Sequence, residues 1–213
     1  MTKPMLFTRQ DIDRLDRIKR LNIINSITGI KPANLIGTQL DNQTNLAIFS
    51  SLVHLGSHPP LLGFVTRPPG DVPRHTLENI LATGHYTINH VPVSHVEQAH
   101  QTSAKYDREQ SEFEICGFDS EYINDFPAPF VAEACVQIGM KLSQIIPIEL
   151  NQTRLVVGQI ELIRLPADLI SEEGYIDLTS ANTAGISGLN SYYQLSHQNT
   201  FPYARPKPPK QSS

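Results

Sequence analysis

The chain has 213 residues, with 17 Lys+Arg against 21 Asp+Glu for a formal charge of −4. That length suits one domain with appended segments, and that charge, with no basic block in the chain, excludes polynucleotide binding while leaving room for a small phosphorylated ligand held by local cations. No apolar run approaches the roughly 18 residues of a bilayer span, and Met1-Thr2-Lys3-Pro4-Met5 leads into charged sequence rather than a secretory segment, so no membrane association and a cytoplasmic location are expected.

Taken in order, residues 8–20 place Ile12, Leu15 and Ile18 at spacings of three behind Thr8, which predicts one N-capped amphipathic helix. Ala33 to Thr38 and Asn45 to Val53 read as strands joined through Asp41-Asn42-Gln43-Thr44, a cluster of turn formers. Gly56-Ser57-His58-Pro59-Pro60 reads as a break before a strand over Leu61 to Thr66. A loop containing Pro68-Pro69-Gly70 and Pro73 follows, then a short helix from Thr76 to Thr83 ended by Gly84. Tyr86 to Val91 is a strand, Val93 to Ala104 a polar helical stretch and Lys105 to Gln110 a charged loop. The spacing is not that of regular βαβ units, which excludes a doubly wound sheet.

From Val131 to Leu142 the pattern alternates, with Ala132, Ala134, Val136, Ile138, Met140 and Leu142 on one face and Glu133, Gln137 and Lys141 on the solvated one. Arg154 to Leu165 is a second long strand, with Pro147 and Asn151-Gln152 in the connection. Adjacent antiparallel strands with few helices predict a mainly β, α+β barrel. The tail from Phe201 carries four prolines and three basic residues in thirteen positions and builds no regular element. Cys116 and Cys135 form no CxxC pair and read as two buried thiols.

Two segments carry chemistry. In Arg67 to Ile80 an arginine ends a strand, and Arg74, His75 and Thr76 open a helix; free N–H groups at a helix start, with a guanidinium nearby, suit a phosphate. The other reading of that segment is a self-capping Thr76 beside solvated arginines. In Asn45 to Ser51 apolar residues run into Ser50-Ser51, and small hydroxyl residues late in a strand let a planar ligand approach the backbone; alternatively the serines bond to a neighbouring strand.

The order of these pieces resembles the flavin reductase-like family of FMN-binding split barrels. The pieces are NLAIFSSLVHLGSHPPLLGFVTRP from Asn45, RHTLENILATGHYTINHV from Arg74, AHQTSAKY from Ala99, EFEICGF from Glu112, and VVGQIELIRLPADLISEEGYIDL from Val156. The resemblance implies an antiparallel FMN-binding split barrel at 31–200, behind a helical segment at 1–30 and before a Pro-rich tail at 201–213. It implies a homodimer whose interface contributes to the flavin site. The Asn45 to Ser51 strand, through Asn45, Ala47, Phe49, Ser50 and Ser51, would line the isoalloxazine; Arg67, Thr76 and Asn79 would hold the phosphate; Ser103 and Lys105 would lie in a loop closing over the cofactor.

The same resemblance implies an oxidoreductase that passes electrons through FMN to or from a small redox partner, with NADH or NADPH as donor. The departure lies before Gly158, where NAD(P)H-dependent flavin reductases keep a histidine and this chain reads Asn151-Gln152-Thr153-Arg154. That keeps a second expectation open, a carrier that binds flavin, or another planar cofactor such as haem, without nicotinamide turnover.

Other chemistries lack their residues. His54 and His58 are four apart, but Gly56 and Pro59 break any helix that would align them, and no HExxH accompanies them, so no metal site is expected. Gly185-Ile186-Ser187-Gly188 lacks the spacing of a nucleophile elbow. Neither GxGxxG nor a Walker loop is present. Glu133 reads as a solvated or ion-paired side chain rather than a base, and the Tyr192-Tyr193 pair as packing rather than a substrate pocket. No side chain is singled out as a catalytic acid.

Overall fold

The computed structural model describes residues 4–68, 70 and 74–206; Pro69 and Pro73 of the expected loop, and 207–213 of the tail, lie outside the described residues. Thr8 caps as its position predicts, its side chain accepting from the N–H of Asp11 while the Asp11 carboxylate accepts from the N–H of Thr8. The helix it starts, α1 (Arg9–Arg14), then stops, because the Asp16 side chain accepts from the N–H groups of Ile18 and Lys19 and opens a second helix, α2 (Arg17–Ser26). The single helix expected over 8–20 is therefore two: an aspartate inside the run offers the backbone a local partner that competes with helical continuation. Neither helix buries a residue, and Ile18 stays 58% exposed.

Strands β1 (Lys31–Pro32), β2 (Asn34–Leu40) and β3 (Gln43–Phe49) follow. The β2–β3 hairpin turns on Asp41 and Asn42, with Asp41 at φ 52°, a left-handed value that aspartate tolerates. The strand expected to run on to Val53 ends at Phe49. Val53 instead begins β4 (Val53–Ser57), which pairs with β5 (Pro60–Thr66). The expected break at 56–60 is thus the turn of a hairpin. Helix α3 (His75–Thr83) ends on Gly84 at φ 73° and leads into β6 (His85–His90). A 3₁₀ turn at Val93–His95, α4 (Val96–Gln101) and α5 (Glu112–Cys116) occupy the middle of the chain, followed by the short pair β7 (Ser120–Glu121) and β8 (Phe130–Val131).

The long strands are β9 (Gln137–Ile148) and β10 (Thr153–Arg164). Alternation predicted a strand from Val131, but β9 starts only at Gln137, after a turn in which Ala134 N–H donates to Val131 O (3.1 Å). Gln137 is buried rather than solvated, its amide donating to Val131 O (2.7 Å) and Glu121 Oε1 (2.6 Å). Pro147 lies within β9 rather than in the connection; β6 pairs with β9 only as far as Lys141, so a missing N–H on that side breaks no ladder. A final hairpin, β11 (Ala184–Ser187) and β12 (Ser191–Gln194), packs against β1. Cys116 is buried and its thiol is pushed up by burial, whereas Cys135 is exposed, contrary to expectation, because it falls in the turn before β9 rather than on an inward strand face.

Seven antiparallel strands form one sheet in the order β3-β2-β6-β9-β10-β5-β4. Its outer members are consecutive in sequence, joined only by Ser50, Ser51 and Leu52. Four Cα steps reach about 15 Å at most, whereas six strand spacings in a flat sheet separate the edges by about 29 Å. The sheet must therefore curl on itself. Ser51 makes the closing contact, its hydroxyl donating to Val65 O (3.1 Å) and accepting from Val65 N–H (3.0 Å). Beyond the seam β4 stays exposed, with Val53 and Leu55 in solvent, while Leu61 to Val65 of β5 are buried or half-buried. The architecture is a split barrel, as expected.

Because side chains alternate across a strand, Leu35 and Ile36 of β2 enter different cores. Leu35 packs with Leu46, Phe113 and Val131 toward α4 and α5; Ile36 packs with Phe64, Tyr86, Ile138 and Val156, joined by Leu77 and Ile80 of α3. Phe49, Phe64 and Tyr86 make successive edge-to-face contacts at 4.9 and 5.6 Å. The Tyr86 hydroxyl is buried without a hydrogen-bond partner among the described residues, and burial pushes its pKa up. It fits only because residue 158 is glycine: a Cβ there would overlap the hydroxyl and lie 3.1 Å from Lys141 O. Gly158→Ala is expected to cost about 1–3 kcal/mol in urea unfolding, the usual penalty for overpacking. Adding Tyr86→Phe, which removes an unpartnered hydroxyl, should return part of that loss; identical losses with and without the hydroxyl would count against this packing.

Candidate functional site

The first turn of α3 and the adjacent strands β2 and β3 share a buried polar cluster. Asn45, Thr38, Thr76, Asn79 and Glu112 are all at most 7% exposed, so each polar group needs an internal partner. Thr76 Oγ1 donates to Asn45 Oδ1 at 2.8 Å, and Thr38 Oγ1 donates to the same oxygen at 3.4 Å. Asn79 Nδ2 donates to Thr38 Oγ1 at 3.0 Å. At one end Glu112 Oε2 accepts from Asn45 Nδ2 (2.7 Å) and from Leu46 N–H (2.9 Å). At the other Arg108 Nη1 donates to Asn79 Oδ1 (3.1 Å), while its second nitrogen pairs with Glu78. Three of the residues expected at a cofactor site, Asn45, Thr76 and Asn79, therefore meet in one cluster.

The start of α3 presents hydrogen-bond donors. Its N-cap, Arg74, makes no side-chain cap bond, which leaves the first-turn N–H groups without that acceptor. Arg74 Nε is buried with no partner among the described residues. The one acidic group in that turn, Glu78, accepts from Arg74 N–H (3.3 Å) and is paired with Arg108, which offsets its repulsion of an incoming anion. Arg67 follows directly on β5 and is exposed, and Phe64 of that strand shares a core with Leu77 and Ile80 of α3.

The seam at Ser50 and Ser51 borders the edge strand β3. The Leu46 N–H, bonded to Glu112, points away from β2, so by alternation the Ile48 N–H points the same way. Ala47 and Phe49, expected to line a planar ligand, turn their N–H groups toward β2; the outward amide belongs to Ile48. Ser51 spends its hydroxyl on Val65, the neighbouring-strand alternative, and Ser50 beside it is half-buried. Ser103 and Lys105 sit exposed in the loop after α4, whose later residue Arg108 anchors it to α3. Glu112, Arg108 and the Ile48 amide were not expected. Nothing local marks them, since their partners lie up to 67 residues away.

Elsewhere, Asn151 and Gln152 form the β9–β10 turn, with Asn151 Oδ1 accepting from Thr153 N–H (3.1 Å) and Oγ1 (2.7 Å). Of the pair expected to pack, Tyr192 lies on the outer core and bonds His100 Nδ1 at 3.1 Å, whereas Tyr193, which points to the other face of its strand, is exposed. A separate concavity of about 330 Å³ lies between Glu133, Cys135, Gln137 and Arg164. It is at the end of β10 opposite Arg154, the residue that pairs with Thr66. Glu133 is half-buried there, with Oε1 accepting from Asp119 N–H (3.0 Å) and Oε2 buried without a partner among the described residues.

Comparison with known proteins accounts for this arrangement. Residues 30–182 match the profile of the flavin reductase like domain. The structure superposes with a TM-score of 0.90 on a split-barrel protein from Shewanella frigidimarina NCIMB 400 classed among the flavin reductases, at 46% identity over 94% of this chain and 100% of that one. Nitrilotriacetate monooxygenase component B of Bacillus cereus gives 0.82 at 16% identity over 94% of this chain and 100% of its own. An FMN-binding protein of Thermus thermophilus, bound to 1-cyclohex-2-enone, gives 0.67 at 15% identity over 82% and 91%. At such identities the last two matches speak to the fold alone.

Proposed function

The chain belongs to the flavin reductase-like family, and from that premise we propose that it is an oxidoreductase that binds FMN and works as a homodimer. The observation that carries the reading is the start of α3, which lacks a side-chain cap, is floored by the Thr76–Asn45 contact and is lined by a buried guanidinium nitrogen with no partner among the described residues. A phosphate ester satisfies all three conditions at once: it accepts from helix N–H groups and lies at the favourable end of the macrodipole. It also takes a charge-assisted bond from arginine.

In this reading Arg67 and Arg74 neutralise the ester, and Asn79 and Thr76 shape the floor beneath it. The isoalloxazine lies along β3 and the seam, where the Ile48 amide and Ser50 offer hydrogen bonds to its edge and Phe49 offers an apolar flank. Ser103 and Lys105 close the site from the α4 loop. Bound FMN supplies the electron transfer itself; the protein contributes position, hydrogen bonding and exclusion of water. The exposed β4 edge, with Val53 at 44% and Leu55 at 43% exposure, is the surface that a second copy would cover. NADH or NADPH is the donor this reading carries.

A second reading has its own observation. The turn before Gly158 is filled by Asn151 and Gln152, both committed to shaping the turn, where nicotinamide-dependent relatives keep a histidine. That favours a flavin carrier charged by another reductant.

Protein purified without added cofactor is expected to be yellow, and anaerobic NADH or NADPH should bleach it. Colour without bleaching selects the carrier reading, and failure to take up FMN at all contradicts both. Arg67→Ala removes a charge-assisted contact of about 1.5–3 kcal/mol, so the FMN dissociation constant should rise roughly 10-fold to 150-fold with riboflavin binding little changed. Equal losses for both ligands would detach Arg67 from the phosphate. Sedimentation at micromolar concentration should give twice the chain mass; a monomer would remove the partner from the site.

A further inference from the structure

We propose that Glu112 is a positioning residue for the phosphate site, acting through Asn45 on Thr76, and that the Thr76 hydroxyl tethers helix α3 rather than touching the phosphate. The inference rests on the FMN reading above and concerns how this chain's own residues hold that site in shape.

Hydrogen-bond polarity orients every member of the cluster. The amide of Asn45 has a donor end and an acceptor end. Its Nδ2 lies 2.7 Å from Glu112 Oε2, an oxygen that also accepts from Leu46 N–H. Turning the amide over would set two acceptors against each other at that distance inside the protein, so Glu112 forces Asn45 Oδ1 toward α3. At the far end of the cluster Arg108 has only donors to offer. It fixes Asn79 Oδ1 toward itself and Asn79 Nδ2 toward Thr38, whose own proton then goes on to Asn45 Oδ1. The direction of every bond is set by the two charged ends.

Thr76 is the consequence. Its hydroxyl has one proton, and that proton is directed to Asn45 Oδ1 at 2.8 Å. What remains on Thr76 Oγ1 is lone pairs, which repel a phosphate oxygen. The ester is therefore held by helix N–H groups and arginine, and Thr76 serves by pinning the first turn of α3 to β3. Glu112, whose hydrogen-bond partners on β3 lie 66 to 67 residues away in the chain, sets the pin.

Dissociation constants for FMN and for riboflavin, which lacks only the phosphate, test this in a double-mutant cycle of Glu112→Ala and Thr76→Val. Each single change should lower the preference for FMN over riboflavin by about 5- to 30-fold, the range covered by losing one buried hydrogen bond. The double variant should lose no more than the larger single loss, because both break the same link. Glu112→Gln keeps an accepting oxygen and should retain the preference. If Glu112→Ala does not fold, Glu112→Asp, which keeps the charge but withdraws the oxygen from Asn45, takes its place in the cycle. Multiplying losses in the double variant, or a Glu112→Gln protein as impaired as the alanine variant, would overturn the proposal while leaving the FMN reading intact. A wild-type protein that binds the two flavins equally would overturn both.

Discussion

Three residues between two strands impose the shape of this protein. Because Ser50, Ser51 and Leu52 are all that join the first and last strands of a seven-stranded sheet, the sheet has no extended solution and must close. Closure brings the end of β3 against β5, where Ser51 fills both backbone valences of Val65. It also turns the inward faces of β2, β5, β6, β9 and β10 onto one another, so that Phe64, Tyr86, Ile138 and Val156 share a single interior. The outward amide of Ile48 lies beside the seam.

The second determinant is electrostatic. A helix packed on a sheet normally meets it through apolar side chains, yet α3 meets β2 and β3 partly through Thr76, Asn79, Thr38 and Asn45. Burying such groups costs free energy unless each finds a partner. Here they do, through a chain that ends on a carboxylate at one side and a guanidinium at the other. Against that background the Nε of Arg74 stands out, because it is buried without a partner among the described residues at a helix start that has no side-chain cap bond and lies beside the polar cluster. Satisfied polar groups hold the cluster in shape, and the Arg74 nitrogen beside it is the donor on which the proposed phosphate contact rests.

What could be read from the sequence follows from how local the governing interaction is. The β2–β3 hairpin was legible because Asp41 and Asn42 suit a left-handed turn, and α3 because Gly84 stops it. The proposed anion site could be outlined from the sequence because Arg67, Arg74 and Thr76 are close in the chain. Where two local signals compete, periodicity failed: Asp16 split a helix that Ile12, Leu15 and Ile18 had predicted whole, and the side-chain bonds of Gln137 buried a residue that alternation placed in solvent. The exposed Cys135 belongs to the same turn. Glu112 and Arg108 were invisible because their roles exist only across 29 to 67 residues of intervening chain. Their types are ordinary, and only the closed barrel gives them meaning.

The account stands or falls on where a flavin binds. A crystal structure of the protein with FMN tests it most directly, and the account predicts the phosphate against the first turn of α3 within reach of Arg67 and Arg74, with the ring along β3 at Ser50. An FMN lodged instead in the concavity between Glu133 and Arg164, or a phosphate pointing into solvent away from α3, would contradict it.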